Sequence, residues 1–384
     1  MVAAKLAAPA VLCASALLVD VAASAHPGGH GDRQIRFPDV PGALTLVVDL
    51  HTHSVFSDGS VWPDLRVEEA VRDGLDAVAI TEHLEYQPHA DDIPHPDRNR
   101  AYLIAVEEAA KAGADLLVIH GSEITRRMPV GHANAIFLED SNPLLRDDPL
   151  EVFREAARQG GFNFLNHPHW VGQRDDGVAR LEPIHEQLIE EGLLHGIEVT
   201  NDLTFSSEAL AIALQHDLTI LGTSDIHGLV DWQYEIPQGG HRPVTLVFAA
   251  ERSEAGIEQA LRAGRTVAWM NDLLVGREEH LAPLLAASLV VESAHYRRGA
   301  VLDVTVRNRG SARITARTAD SDLLYSGGPL VVFEPLAETT LQLKTGARSP
   351  RFELELEVLS ALVEPEKHPR LVLSGETTAE AEGD

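Results

Sequence analysis

Short β-rich segments alternate with amphipathic helical segments from residue 44 to about residue 269, and this order limits the possible folds more than any other feature. The first segment, residues 44–50, is a continuous apolar run, as expected of a strand buried on both faces. Repeated strand-then-helix units are typical of a parallel sheet. About seven units occur, which favours a closed or nearly closed barrel over a small open sheet.

The pattern changes after about residue 286. Residues 301–306, 338–344 and 352–358 alternate apolar and polar side chains, which indicates strands of a sheet with one buried face. We therefore predict an α/β barrel domain over residues 26–285 and a small C-terminal β-sandwich over residues 286–384. The polar, acidic tail from residue 375 onwards is expected to be disordered.

Residues 1–25 have the features of a secretory signal peptide. Lys5 precedes an apolar run that is shorter than a typical membrane-spanning helix. Ala23-Ser24-Ala25 matches the A-x-A pattern of a signal-peptide cleavage site. The alternatives are an ordinary buried helix or a retained membrane anchor. Export predicts a periplasmic or secreted protein that does not associate with a membrane after cleavage. Cys13, the only cysteine, lies in this segment, so the mature chain would form no disulfide and offer no thiolate ligand.

The charge balance restricts the partners. The 384 residues include 59 acidic and 31 basic side chains, a formal net charge of −28. Such a chain repels phosphate backbones at long range, so we expect no long nucleic acid as a partner. A small anionic substrate remains compatible with a local positive site. The oligomeric state is left open.

Histidines and carboxylates follow successive predicted strands. His51 and His53 follow the first strand as H-x-H, and residues two apart on an extended chain point to the same side. Asp225 and His227 form a similar D-x-H pair later in the chain. The other ligand-type residues at strand ends are Asp58, His83, Glu123, His132 and His167. Because the carboxyl ends of barrel strands meet at one face, these positions predict a common site there.

Each of these residues taken singly has an ordinary structural explanation, such as a capped histidine or, for Asp58 before Gly59, a turn aspartate. Together, six histidines and three carboxylates in one strand-end pattern favour a metal centre over coincidence. Imidazole and carboxylate ligands suit zinc, iron or manganese.

These motifs resemble those of the PHP (polymerase and histidinol phosphatase) superfamily. The matching segments, in order within about residues 47–270, are Asp49-Leu-His-Thr-His-Ser, Asp58-Gly, Thr81-Glu-His, Gly121-Ser-Glu, His167-Pro and Ser224-Asp-Ile-His. The resemblance implies a distorted seven-stranded (β/α) barrel with a trinuclear metal centre. Glu82 stands where the motif commonly has Asp, a position that is not expected to bind metal.

Carried over by position, the resemblance implies three metal sites. The first would be held by His51, His53, Glu123 and Asp225. The second would share Glu123 and add His132 and His167. The third would be held by Asp58, His83 and His227. The expected cofactors are therefore two or three divalent ions, Zn, Mn or Fe.

A narrower resemblance is to exported bacterial PHP phosphodiesterases of the Sb-PDE type. It rests on segments such as Phe56-Ser-Asp-Gly-Ser-Val-Trp-Pro, Glu123-Ile-Thr-Arg and Gly276-Arg-Glu-Glu. In those proteins too, a β-rich region follows the barrel. This likeness implies phosphodiesters of small organic alcohols as substrates.

Several metal ions in one site suit phosphoester hydrolysis, because they generate a nucleophilic hydroxide and neutralise the phosphoryl oxygens. We expect a metal-dependent phosphodiesterase in which a bridging hydroxide, held near Glu123 and Asp225, attacks phosphorus. His169 and Arg126 are candidates for assisting the anion. The alternatives are a phosphomonoesterase of the histidinol-phosphate or nucleotide type and an exported protein that binds metal without catalysis.

Overall fold

The computed structural model describes residues 33–297, 299–318 and 323–379. The predicted signal peptide and the last five residues of the acidic tail lie outside these ranges. The helices are α1 (Pro63–Asp73), α2 (Arg100–Ala112), α3 (Pro149–Arg158), α4 (Pro183–Glu190), α5 (Ser207–Gln215), α6 (Val230–Gln233), α7 (Glu254–Arg262) and α8 (Glu278–Ser288). None of these helices is both long enough and apolar enough to cross a bilayer.

The strands of the first domain, together with one short strand from the second, form a single curled sheet. They are β1 (Leu44–Asp49), β2 (Ala77–Ile80), β3 (Leu117–Thr125), β4 (His132–Ile136), β5 (Phe162–Leu165), β6 (Gly196–Asn201), β7 (Thr204–Phe205), β8 (Thr219–Thr223), β9 (Val244–Ala249), β10 (Thr266–Met270), β11 (Leu273–Gly276) and β18 (Ala361–Leu362). Their order is β18-β11-β10-β9-β1-β2-β3-β4-β5-β6-β7, and β8 pairs with β6. The predicted α/β barrel-type fold is confirmed.

The strand directions differ from the parallel sheet that the strand-then-helix units predicted. β1–β2, β2–β3, β5–β6 and β6–β8 are parallel, whereas β3–β4, β4–β5, β1–β9 and β9–β10 are antiparallel. A six-residue connection without a helix joins β3 to β4, so the chain has no crossover there and turns back. As a result, His132 stands at the start of its strand yet reaches the same edge as the others.

Side chains close the gap between β8 and the strands β9 and β10. The hydroxyl of Thr245 donates to the carbonyl of Gly222 at 2.8 Å, and the hydroxyl of Thr266 donates to the carbonyl of Ile220 at 2.7 Å. A Cβ on Gly222 would lie 2.9 Å from Cβ of Ala268 and 2.5 Å from Oγ1 of Thr200. Glycine is therefore needed for this close approach, and the curled sheet is nearly closed.

Local sequence signals explain most helix ends. α1 begins at Pro63, whose fixed φ suits a first helical position, and ends at Gly74 in the left-handed conformation. Asp148, Ser206 and Ser253 each accept a hydrogen bond from a backbone N–H in the first turn of α3, α5 and α7.

The remaining strands form two four-stranded sheets of a C-terminal sandwich. They are β12 (Leu289–Tyr296), β13 (Val301–Asn308), β14 (Ile314–Thr318), β15 (Leu330–Phe333), β16 (Glu338–Lys344), β17 (Arg351–Val358), β19 (Arg370–Glu376) and β20 (Thr378–Ala379). The sheet orders are β16-β13-β12-β20 and β15-β14-β17-β19. Residues 375–379, which we expected to be disordered, continue β19 and pair β20 with β12, because backbone hydrogen bonding there does not depend on an apolar sequence.

The two domains share one apolar core. The helix α8 contains the predicted domain boundary, and its buried side chains Leu281, Leu284 and Leu285 join barrel and sandwich residues in a single cluster. The strand β18, from the sandwich half of the chain, pairs in parallel with β11 of the curled sheet. The sandwich is therefore packed against the barrel along both α8 and β18.

Candidate metal centre

All nine residues predicted as metal ligands converge at one end of the curled sheet. Beyond the ends of β1 and β2, the chain still pairs with its neighbours. Isolated parallel bridges join Thr52 to Ile226 and His83 to Glu123. These bridges draw the segments that follow β1, β2 and β8 together with the C-terminal part of β3. Three overlapping groups of histidine and carboxylate atoms result. The sets with donor atoms close enough for one metal ion are His51, His53 and Glu123; His83, Glu123 and His132; and His53, Asp58, His83 and His227. His167 and Asp225 lie beside these sets.

The first group surrounds His51 and His53. Their Nε2 atoms lie 2.9 Å apart, and Oδ1 of Asp225 is 3.2 Å from Nε2 of His51 and 3.1 Å from that of His53. Oε2 of Glu123 lies 3.7 Å and 3.5 Å from the same two nitrogens. Four donor atoms therefore face a common point, in the set that the PHP resemblance implied.

The second group shares Glu123 through its other oxygen. Oε1 of Glu123 lies 3.0 Å from Nδ1 of His132 and 3.4 Å from Nε2 of His167. Oδ2 of Asp225 lies 3.7 Å from Nε2 of His167. Both carboxylates thus offer one oxygen to each of the first two groups, which is the arrangement of a bridging ligand.

The third group centres on Asp58. Its Oδ1 lies 3.3 Å from Nε2 of His83 and 3.0 Å from Nε2 of His227. Nδ1 of His53 is 3.9 Å away, so the ring of His53 lies between this group and the first.

Glu198 is a functional residue that sequence reasoning missed. It lies within β6, fully buried, and its Oε1 accepts from Nδ1 of His51 at 2.8 Å and from the hydroxyl of Thr223 at 2.6 Å. Its Oε2 accepts from the backbone N–H of His167 at 2.6 Å and from the amide of Asn201 at 2.9 Å. A carboxylate at Nδ1 fixes the tautomer that leaves Nε2 free to bind a metal. The sequence signal was a charged residue inside an apolar strand.

Glu82 has a comparable orienting role and is not part of the metal-binding groups. It accepts from the hydroxyls of Ser54 and Ser57, the latter at 2.5 Å. Because Ser57 gives its proton to Glu82, it accepts from Nδ1 of His53 at 3.2 Å. The Nε2 lone pair of His53 is thereby directed into the first group.

The histidines and carboxylates of all three groups shift one another's pKa values. Burial alone would raise the pKa of the Glu123 carboxyl, but His83 and His51 hold that pKa well below its ordinary value. Burial alone would lower the pKa of His83, yet Glu123 and Asp58 raise it to about 10. Burial, together with His227 and His83, lowers the pKa of His53 to about 3. The carboxylates are therefore ionised and His53 is neutral, the forms that bind a cation, whereas His83 would release its proton when a metal ion binds.

Two of these residues have unusual backbone conformations. His167 has φ of 29° and Asp225 has φ of 52°, values in the left-handed region that residues with a side chain seldom adopt. Such conformations persist where the surrounding structure holds them, and they concentrate at functional sites.

The residues fit the divalent ions that the resemblance implied. Oε2 of Glu123 and Oδ1 of Asp58 are buried and accept no hydrogen bond of acceptable geometry, but each faces an imidazole nitrogen, at 2.5 Å from Nδ1 of His83 and 3.0 Å from Nε2 of His227. Buried carboxylates in such a cluster need either protonated imidazoles or a bound cation to balance their charge. The donors are imidazole nitrogens and carboxylate oxygens, which suits Zn, Mn or Fe.

A cavity of about 530 Å³ opens onto the groups. It is lined by Asp58, His83, His132, His167, His169, Trp170, Val171, Gly177, Asn201, Asp202, Thr204, Asp225, His227 and Gln233. Among the described residues that line it, there is no lysine or arginine. A bound ion would therefore supply the positive charge that an anionic ligand needs.

The two other predicted catalytic residues lie in different environments. His169 lines the cavity, and its Nε2 is 2.8 Å from the hydroxyl of Thr204. Arg126 does not line it: its Nε pairs with Glu85 at 2.7 Å, and its other nitrogens donate to the carbonyls of Arg146 and Asp147. The sequence placed Arg126 close to Glu123, but the alternation of side chains along an extended segment directs it elsewhere. Its predicted role in anion binding has no support in this arrangement.

Comparison with known proteins identifies the family of each domain. Residues 49–165 match the PHP domain family, and residues 289–374 match an Ig-like domain family. A two-domain protein from Bacteroides vulgatus, described as containing a predicted PHP-like metal-dependent phosphoesterase, is 41% identical with a TM-score of 0.83. The alignment covers 89% of this chain and 98% of that one.

An uncharacterized protein of Methanocaldococcus jannaschii is 37% identical over 81 residues. The match covers 21% of this chain and 34% of that relative. On the strength of the Bacteroides structure and the PHP match, the chain belongs to the PHP family of metal-dependent phosphoesterases. Its C-terminal sandwich is an Ig-like domain.

Proposed function

We propose that this protein hydrolyses phosphodiester bonds in small organic substrates, with two or three divalent ions, Zn, Mn or Fe, bound by the nine converging residues. The observation that carries the proposal is a cavity of about 530 Å³ that meets the three ligand groups and has no lysine or arginine among its described lining residues. Its size suits a small molecule.

The charge of the lining favours a diester over a monoester. A phosphomonoester carries a charge of about −1.5 to −2 at neutral pH, whereas a diester carries a single negative charge. The lining includes the carboxylates of Asp58, Asp202 and Asp225. No lysine or arginine of the described lining opposes these charges, so the less charged ester is the easier ligand.

Bound ions would lower the pKa of a coordinated water and neutralise the phosphoryl oxygens. The chain itself holds the ligand atoms in place: Glu198 orients His51, and Glu82 orients His53 through Ser57. Trp170 and Val171 supply apolar surface to the cavity wall.

His169 has a defined tautomer. The hydroxyl of Thr204 donates to the carbonyl of Asn201 at 2.7 Å, so it accepts from Nε2–H of His169. Nδ1 of His169 is left with a lone pair and no hydrogen-bond partner among the described residues. We propose that this atom accepts a hydrogen bond from a water or hydroxyl group that enters with the substrate.

The test is an activity measurement on the metal-stripped and reconstituted protein. Bis(p-nitrophenyl) phosphate and p-nitrophenyl phosphate are compared after addition of Zn²⁺ or Mn²⁺. We expect metal-dependent turnover with the diester preferred, and loss of it in Glu123→Gln. Preference for the monoester would favour a phosphomonoesterase, and bound metal without turnover on either ester would favour a non-catalytic metal-binding protein.

Export is part of the same proposal. Residues 1–25 have the composition of a signal peptide, and we propose a periplasmic or secreted protein similar to the Sb-PDE type. Cell fractionation and N-terminal sequencing test this: a mature chain beginning at His26 is expected. A full-length chain in the cytosol would contradict it.

A further inference from the structure

We propose that the indole of Trp170 forms an aromatic subsite that binds a flat ester group of the substrate. This inference rests on the proposed function, because it names the class of alcohol that the phosphodiester contains. The preferred substrates would be diesters with at least one aromatic alcohol.

Trp170 is placed directly beside the metal-binding groups. Its ring centroid lies 5.3 Å from that of His167 and 5.8 Å from that of His132. Its backbone N–H donates to the carbonyl of His167 at 2.9 Å, and its own carbonyl accepts from the N–H groups of Gln173 and Arg174, both at 2.9 Å. A hydrogen-bonded turn therefore holds the indole at the cavity wall, next to where a phosphoryl group would bind.

Gly172 makes room for the indole. A Cβ on Gly172 would lie 2.4 to 2.7 Å from three atoms of the Trp170 ring, closer than nonbonded carbons approach. Its φ is outside the left-handed region, so the backbone itself would accept alanine. Because Gly172 has no side chain, the Trp170 ring can lie against the main chain. The ring is therefore held in place at the cavity wall before a substrate binds.

The apolar wall remains largely uncovered. Trp170 is 48% exposed and its neighbour Val171 is 66% exposed, and both line the cavity. The lining residues Asn201, Thr204 and Gln233 are polar, so the apolar surface is confined to one segment. An aromatic ring can stack on an indole in an offset arrangement, which an alkyl chain cannot do. The phosphate would face the ions while the ring of the alcohol covers Trp170.

The experiment compares binding of diphenyl phosphate and diethyl phosphate to the metal-loaded protein by isothermal titration calorimetry. We expect the wild type to bind the diphenyl ester at least about tenfold more tightly, the size of one good aromatic pair plus the added apolar contact. Trp170→Ala should remove about tenfold of that preference, and Trp170→Phe should restore part of it. Gly172→Ala retains the indole but displaces it, so it should reduce the preference as well.

Tyr325→Ala is the matched control, since Tyr325 is an aromatic residue of the Ig-like domain that is 61% exposed. It should retain the full preference. If Trp170→Ala binds the two esters in the wild-type ratio while diester turnover persists, the subsite is overturned and the proposed function stands. If no diester is hydrolysed but a Trp170-dependent preference is measured, the reaction is overturned and the subsite stands. Circular dichroism of each variant checks that the fold is retained.

Discussion

The substitution Glu198→Gln tests how the fold orients the histidines that would bind metal. The substitution keeps the size of the side chain and removes its charge. All four partners of Glu198 act as donors: Nδ1–H of His51, the hydroxyl of Thr223, the backbone N–H of His167 and the amide of Asn201. A glutamine offers one oxygen and one NH₂ group, so two donors would face a donor whichever way the amide turns.

The expected loss follows from these contacts. Hydrogen bonds to a charged group contribute about 1.5 to 3 kcal/mol each, and two of the four are broken or repelled. Since part of the loss is recovered by relaxation, we expect the metal-free protein to lose about 3 kcal/mol of unfolding free energy. Substituting a carboxylate that orients a ligating histidine reduces metal affinity by about 10- to 100-fold, and we expect a reduction within that range here.

Two measurements are needed. Urea unfolding of the metal-free protein gives the change in stability, and competition with a chromophoric chelator gives the change in metal affinity. Glu186→Gln is the matched control, because Glu186 is an exposed carboxylate on α4. It should change neither quantity measurably. Metal affinity of Glu198→Gln within twofold of the wild type would refute the conclusion that Glu198 orients His51.

Three further predictions test other parts of the molecule. Burial, together with Arg262, lowers the pKa of His195 from 6.5 to about 4. As the pH falls, the histidine therefore binds a proton in the unfolded chain before it does so in the folded protein. Between pH 7 and 4 the free energy of unfolding of the wild type should fall by about 3 kcal/mol more than that of His195→Gln, as measured by urea unfolding at each pH. Arg126→Ala should leave kcat/KM for the diester within about threefold, because the guanidinium pairs with Glu85 outside the cavity; a 100-fold loss would restore its predicted anion-binding role. A chain ending at residue 288 should aggregate or unfold without cooperativity in a thermal scan, because it exposes the shared core at α8 and lacks β18; a soluble, cooperatively folded barrel would contradict this.

Much of the site could be predicted from the chain because ligand chemistry is local. The pairs His51/His53 and Asp225/His227 follow strand-like runs, and strand ends meet at one edge of a barrel-type sheet. The helix bounds were predictable for a similar reason: proline at the start and glycine at the end act within one turn, as at Pro63 and Gly74.

Two kinds of error came from properties that no local pattern encodes. The direction of β9 depends on which strand it pairs with, and it pairs antiparallel with β1, almost 200 residues earlier in the chain. The packing of neighbouring segments also decides which side chains of an extended segment face the cavity. For this reason Arg126 faces Glu85 rather than the cavity.

The α/β class, the C-terminal sandwich and the nine side chains that meet at the site could all be predicted from the amino-acid sequence. These follow from periodicity and residue type, which act over a few residues. Three features became visible only in the folded chain: one core joins both domains, Glu198 and Glu82 orient the histidines, and Trp170 packs against Gly172 beside the cavity. Each of these is a contact between segments far apart in the chain or a clearance measured in tenths of an ångström. Such contacts exist only once the backbone has brought the segments together.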